Sequence, residues 1–117
     1  MADPLKEKSF AFALKITKLT DLIQKERREF TLSRKVLDSS VNIGLFIEEA
    51  RQGEDRSDFR QKYSLANKEA FKSNYLIRLL YGGGYITEEQ FRSLIFECEE
   101  LQKMLVSALK SLRRSEV

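Results

Sequence analysis

Three acidic side chains on two neighbouring predicted helices, Glu48, Glu49 and Glu69, and one thiol, Cys98, are the groups in this sequence best suited to reaction chemistry. Converging carboxylates could hold Mg²⁺, and a thiolate could act as a nucleophile. Neither has the help it needs. The 117 residues contain no His, which excludes imidazole–thiolate zinc sites, His-based triads and the Glu-x-x-His di-iron signature. Surface ion pairs account for the three Glu residues, and a small buried hydrophobe accounts for Cys98. Gly82, Gly83 and Gly84 follow a predicted helix rather than a strand and lack a following Gly-Lys-Ser/Thr. They therefore read as a turn and not as a phosphate loop. These exclusions point away from an enzyme, with no catalytic residue, metal or cofactor to name, and towards a binding protein.

Binding chemistry is better represented. On the third predicted helix Arg60, Lys68, Lys72 and Arg78 occupy about a third of the circumference opposite the apolar stripe, with Phe71 and Tyr75 among them. Cations interleaved with aromatics fit a nucleic-acid backbone and unstacked bases. The same pattern fits a subunit interface with a charged rim, or a solvated surface. Lys15 and Lys18, with Lys8 and Lys25, form a second basic stripe on the first helix, where a solvated face is the default. Net charge is only +3, but it is unevenly placed. Residues 1–30 hold seven Lys/Arg against five Asp/Glu and residues 57–86 hold five against two, while 31–56 and 87–117 are each at −1.

Four helices must position these groups. At 42% hydrophobic and 33% charged, with one Pro and five Gly, the chain is rich in helix formers and poor in turn formers. Asp3-Pro4 caps and opens the first helix, whose apolar seam is Leu5, Phe12, Ile16, Leu19 and Ile23. Lys25, Arg27 and Arg28 suit its C-terminus. Thr31 is the expected cap of the second helix and Gly53 its C′ residue. Ser57-Asp58 opens the third, with Phe59, Tyr63, Ala66, Ala70, Ile77 and Leu80 on one stripe. Thr87 and Gln90 form a capping box for the fourth. There Phe91, Leu94, Cys98, Leu101, Leu105, Ala108 and Leu112 repeat at 3-4 spacing as an a/d seam. Helices of about 20–27 residues with short connectors predict an all-α, up-down-up-down antiparallel four-helix bundle, a single domain over 1–117 and roughly 30–40 Å long. The tail SLRRSEV is expected to fray. No apolar run approaches the ~20 residues of a membrane span, and the start MADPLKEK lacks a signal-peptide apolar region, so the expected location is cytoplasmic.

The second helix carries more apolar surface than one core needs. Leu32, Val36, Ser39, Ile43, Ile47 and Ala50 share one side. Leu37, Val41 and Leu45 lie nearly opposite, with Gly44 beside them. A second stripe needs a second cover, most simply another subunit. Phe10, on the far side of the first helix, joins Leu37, Val41, Gly44 and Leu45 as a candidate interface residue. Ser39, Ser40 and Asn42 are poor helix formers that persist where side chains bond nearby carbonyls or neighbouring helices.

The run from Ser39-Ser40-Val41-Asn42-Ile43-Gly44 to Ile47-Glu48-Glu49-Ala50 resembles a known bacterial family. The likeness continues through Ser57-Asp58-Phe59, Ser64-Leu65-Ala66, Lys68-Glu69-Ala70, Tyr85-Ile86 and the segment Leu101 to Leu105, nearly the whole chain. That family comprises the four-helix bundle proteins first noted as products of intervening sequences in 23S ribosomal RNA genes. The resemblance implies a left-handed bundle that assembles as a homopentameric barrel, a ring-like homo-oligomer. It also extends to the accessory proteins of diversity-generating retroelements, which work with a reverse transcriptase and RNA. The partners it implies are copies of the chain itself, RNA, or a nucleic-acid enzyme such as a reverse transcriptase. No catalytic residues carry over, because the family defines none. One position departs from its pattern. The family usually has Asn where Phe46 stands, so an apolar contact is expected there in place of a hydrogen bond. Two readings of function remain side by side: nucleic-acid association through basic faces of a ring, and a protein-interaction scaffold without nucleic-acid contact.

Overall fold

The computed structural model describes residues 3–115, with side chains through Arg113. The first two and last two residues, which belong to the start read as leaderless and to the tail expected to fray, lie outside the described residues. Four helices follow in order: α1 (Pro4–Arg27), α2 (Thr31–Arg51), α3 (Arg56–Gly82) and α4 (Glu88–Ser115). The segment Ser111–Ser115 continues α4 rather than fraying.

Each helix end has a local cause. The Asp3 carboxylate accepts from the Lys6 N–H at 3.2 Å, and Pro4 occupies the first turn of α1. Arg28 ends that helix in the left-handed conformation, φ 55°. The cap of α2 is not Thr31, which is itself the first helical residue. Glu29 reaches over the helix start and accepts from the N–H groups of Thr31, Leu32 and Ser33 at 3.1, 3.0 and 2.9 Å. A carboxylate on a long stem satisfies three orphan donors where one hydroxyl satisfies a single donor. Gly53 has no positive φ. It is constrained by space instead, since a Cβ there would lie 2.6 Å from Asp58 Oδ2. The cap of α3 is Asp55, two residues before Ser57, and it accepts from the Asp58 N–H at 2.8 Å. Gly84, at φ 81°, turns the chain towards α4. The Thr87–Gln90 box closes in both directions: Thr87 N–H donates to Gln90 Oε1 at 2.8 Å, and Gln90 N–H donates to Thr87 Oγ1 at 3.1 Å.

The helices pack in sequence, α1 on α2, α2 on α3, α3 on α4, with the lighter α1–α4 contact closing the bundle and no packing across its diagonals among the described residues. The core holds one seam from each helix, including Phe12 and Ile16, Ile43 and Ile47, Ile77 and Leu80, Leu101 and Leu105, all within 1% of full burial. Where α2 meets α3, Ser39 Oγ and Ser73 Oγ share a buried hydrogen bond of 2.7 Å. Ser39 and Ser40 also donate to the carbonyls of Val36 and Leu37. Small hydroxyls bonded back to their own helix let the backbones approach without unpaired polar atoms. Phe46 is half-buried against the core, with Lys62 Nζ 5.8 Å from its ring centroid. That is the apolar contact expected at this position. The Cα envelope measures 50 × 25 × 21 Å, longer than the 30–40 Å expected from helix length alone. No described helix is long and apolar enough to cross a membrane.

Candidate binding faces

The groups with reaction chemistry are dispersed. Glu48 pairs with Lys6 at 3.8 Å, Glu49 with Lys62 at 2.9 Å, and Glu69 with Lys72 at 2.8 Å and Asn42 Nδ2 at 3.2 Å. Among the described residues no group of three or more His, Cys, Asp or Glu could hold a metal ion. Cys98 is fully buried, and its Sγ–H faces the Ala70 carbonyl at 3.3 Å. Burial and the neighbouring Glu99 charge push its pKa up to about 12, so at neutral pH it is a thiol and a weak nucleophile.

Two surfaces remain. The first is an apolar groove of about 310 Å³ between α1 and α2. Four of the five interface candidates, Phe10, Val41, Gly44 and Leu45, line it together with Ala13 and Leu14. Phe10 is 71% exposed and Leu45 51%, which is unusual for side chains of this size unless something covers them. Leu37 is not part of the groove; it is half-buried against the core of its own bundle. Gly44 is among the residues that line the groove. A Cβ added to it would meet only Ser9 Oγ, at 3.8 Å, so packing of α1 on α2 does not require a glycine.

The second surface is the outward side of α3. Phe71 and Tyr75 are each 55% exposed. Around them Lys72 is held by Glu69, and Arg78 donates to Asn74 Oδ1 at 3.0 Å while lying 5.4 Å from the Tyr75 ring centroid. Lys68 has no ion-pair partner among the described residues. Arg60 sits near the opposite end of α3, in a separate groove with Ser64, Leu109 and Arg113. Lys15 and Lys18 are not brought to this surface, because α1 stands diagonally across the bundle from α3. Lys15 is moreover committed to α4, donating to Ser93 Oγ at 2.9 Å and Glu97 Oε2 at 3.0 Å.

Packing adds cations that the reading of single helices overlooks. Lys35 of α2 lines the α2–α3 groove with Lys68, Lys72 and Tyr75. Lys103 and Lys110 of α4 line a groove of about 450 Å³ on the other side of Phe71. The last two are seven residues apart and so share a helix face, which is the signal a sequence reading could have used.

Residues 4–107 match the family described as 23S rRNA-intervening sequence protein. The chain is also similar to a crystal structure of a protein of unknown function from the S23 ribosomal protein family of Bacteroides thetaiotaomicron. The two share 39% identity and a TM-score of 0.89, over 91% of this chain and 98% of that one. Comparison with curated proteins finds no match.

Proposed function

Because the chain belongs to the 23S rRNA-intervening sequence protein family, we propose that it is a non-enzymatic, homo-oligomeric, nucleic-acid-associated protein. In this reading the α1–α2 groove joins copies into a pentameric ring, and the basic, aromatic side of α3 meets RNA. The observation that carries it is the exposure of Phe71 and Tyr75 among Lys35, Lys68 and Lys72 on one face. Exposed rings offer stacking surface to unpaired bases, and lysines offer charge to phosphates. A monomer at +3 is a weak attractor, whereas five copies repeat the face five times and reach about +15 by multiplication. A ring contact joins two different surfaces of neighbouring subunits.

The competing reading is a protein-interaction scaffold, and salt separates the two. Binding that neutralises phosphates releases counterions, so log affinity for a ribosomal RNA fragment should fall linearly with log salt. Fluorescence anisotropy between roughly 50 and 200 mM salt reads that slope. Failure to bind RNA at the low end, where electrostatic attraction is strongest, would leave the scaffold reading in possession.

A further inference from the structure

We propose that the groove between α3 and α4 holds a single strand of nucleic acid, with an unpaired base stacked on Phe71 and phosphates held by Lys103 and Lys110. The inference rests on the nucleic-acid reading above and specifies which form of nucleic acid that face takes and where it lies.

Phe71 stands as a wall between two channels. On its α4 side the lining is Gln102, Lys103, Val106, Ser107 and Lys110. On its α2 side Lys35, Lys68, Lys72 and Tyr75 lie along the second channel, with Asp38 and Glu69. The two channels together therefore carry five lysines against two carboxylates. That surplus of three equals the net charge of the whole chain, +3, so the rest of the molecule sums to no net charge. One of the two carboxylates, Glu69, is already answered by Lys72 at 2.8 Å. Lys103 and Lys110 form no ion pair among the described residues. Their seven-residue separation spaces them by about 10.5 Å along α4, which sets a row of charge parallel to the groove.

The ring distinguishes a single strand from a duplex. A duplex keeps its bases stacked on one another and offers outward phosphates, for which lysines suffice and a 55% exposed Phe71 adds nothing. A single strand presents unstacked base faces, and base–aromatic stacking tolerates any sequence. The groove also fits a protein helix poorly. Its apolar lining is limited to Phe71 and Val106, whereas an amphipathic helix needs a continuous apolar trough, such as the one between α1 and α2.

The test compares wild-type protein with Phe71→Ala, Phe71→Trp and the double variant Lys103→Gln/Lys110→Gln. Affinity is read by anisotropy for a single-stranded 20-nucleotide RNA of mixed sequence, for the duplex of the same length, and for a polyglutamate peptide. All three positions are at the surface, and circular dichroism checks the fold. The expected result is tighter binding of the single strand than of the duplex. Phe71→Ala should weaken the single strand by roughly tenfold or more with little effect on the duplex, and Phe71→Trp should retain wild-type affinity. The double lysine variant should flatten the salt slope. Equal binding of both RNA forms, with Phe71→Ala changing neither, would overturn the proposal while leaving an electrostatic nucleic-acid face intact. Polyglutamate binding as tight as RNA would assign the face to an acidic protein partner and overturn it as well. Binding of neither RNA by wild type would remove the nucleic-acid reading itself, and this proposal with it.

Discussion

Glu29 shows how much one side chain can decide at a helix start. Burial of its carboxyl acts to raise the pKa, but hydrogen bonds from Leu32, Ser33 and Thr31 outweigh that and hold it below its ordinary value of 4.5. A carboxylate with a depressed folded-state pKa contributes stability that is complete above its ordinary range and is lost as pH falls through the folded value. Glu29→Ala should therefore cost about 1 kcal/mol at neutral pH, the usual worth of a helix cap. The gap between variant and wild type should narrow below pH 4.5. Urea unfolding at several pH values measures it, and a gap independent of pH would show that the charge is not what caps α2. The sequence names Thr31 for this task because hydroxyl caps are common. Choosing Glu29 instead requires knowing the path of the connector, in which Arg28 turns left-handed and the Glu29 side chain lies over the helix start. By contrast, the Thr87–Gln90 box is entirely local, and it is legible from two residue types at the right spacing.

At the scale of elements, α2 is the helix whose pattern discloses most. Its two apolar sides are visible in the residue order, and the structure places Val36, Ile43 and Ile47 in the core and Val41, Gly44 and Leu45 along the groove with α1. Leu37 escapes the pattern because helical angle alone does not say how far a neighbouring helix wraps around a side chain. The lysines of α3 are legible as a stripe. The addition of Lys35 and Lys103 to the same face is not, since it depends on which helices pack side by side. Gly44 supplies a prediction at this scale. A glycine inside a helix costs roughly 0.5–1 kcal/mol relative to alanine, and alanine fits here, with Ser9 Oγ 3.8 Å from the added Cβ. Gly44→Ala should therefore stabilise the isolated subunit. It should also weaken assembly, because a methyl forced into a packed contact costs roughly 1–3 kcal/mol. Analytical ultracentrifugation across a dilution series should show the variant dissociating at a concentration at least several-fold above wild type. An oligomer unchanged by the substitution would mean that nothing packs into this groove.

At the scale of the molecule, the bundle separates its surfaces. The α1–α2 groove is apolar, and the basic and aromatic residues lie on both sides of α3, towards α2 and towards α4. Helix number, order and antiparallel path are legible because each helix has a strong seam and each connector is short. What α1–α2 meets is not legible in the same way, since one chain's pattern shows that a face needs covering without showing the cover. Attraction for phosphate depends on that cover: without repetition of the face around a ring, +3 per chain supplies little of it. Assembly is thus the central claim, and light scattering of the eluting wild-type protein at micromolar concentration tests it most directly. The expected mass is five times 13.7 kDa, about 68 kDa; a single peak at 13.7 kDa would contradict it.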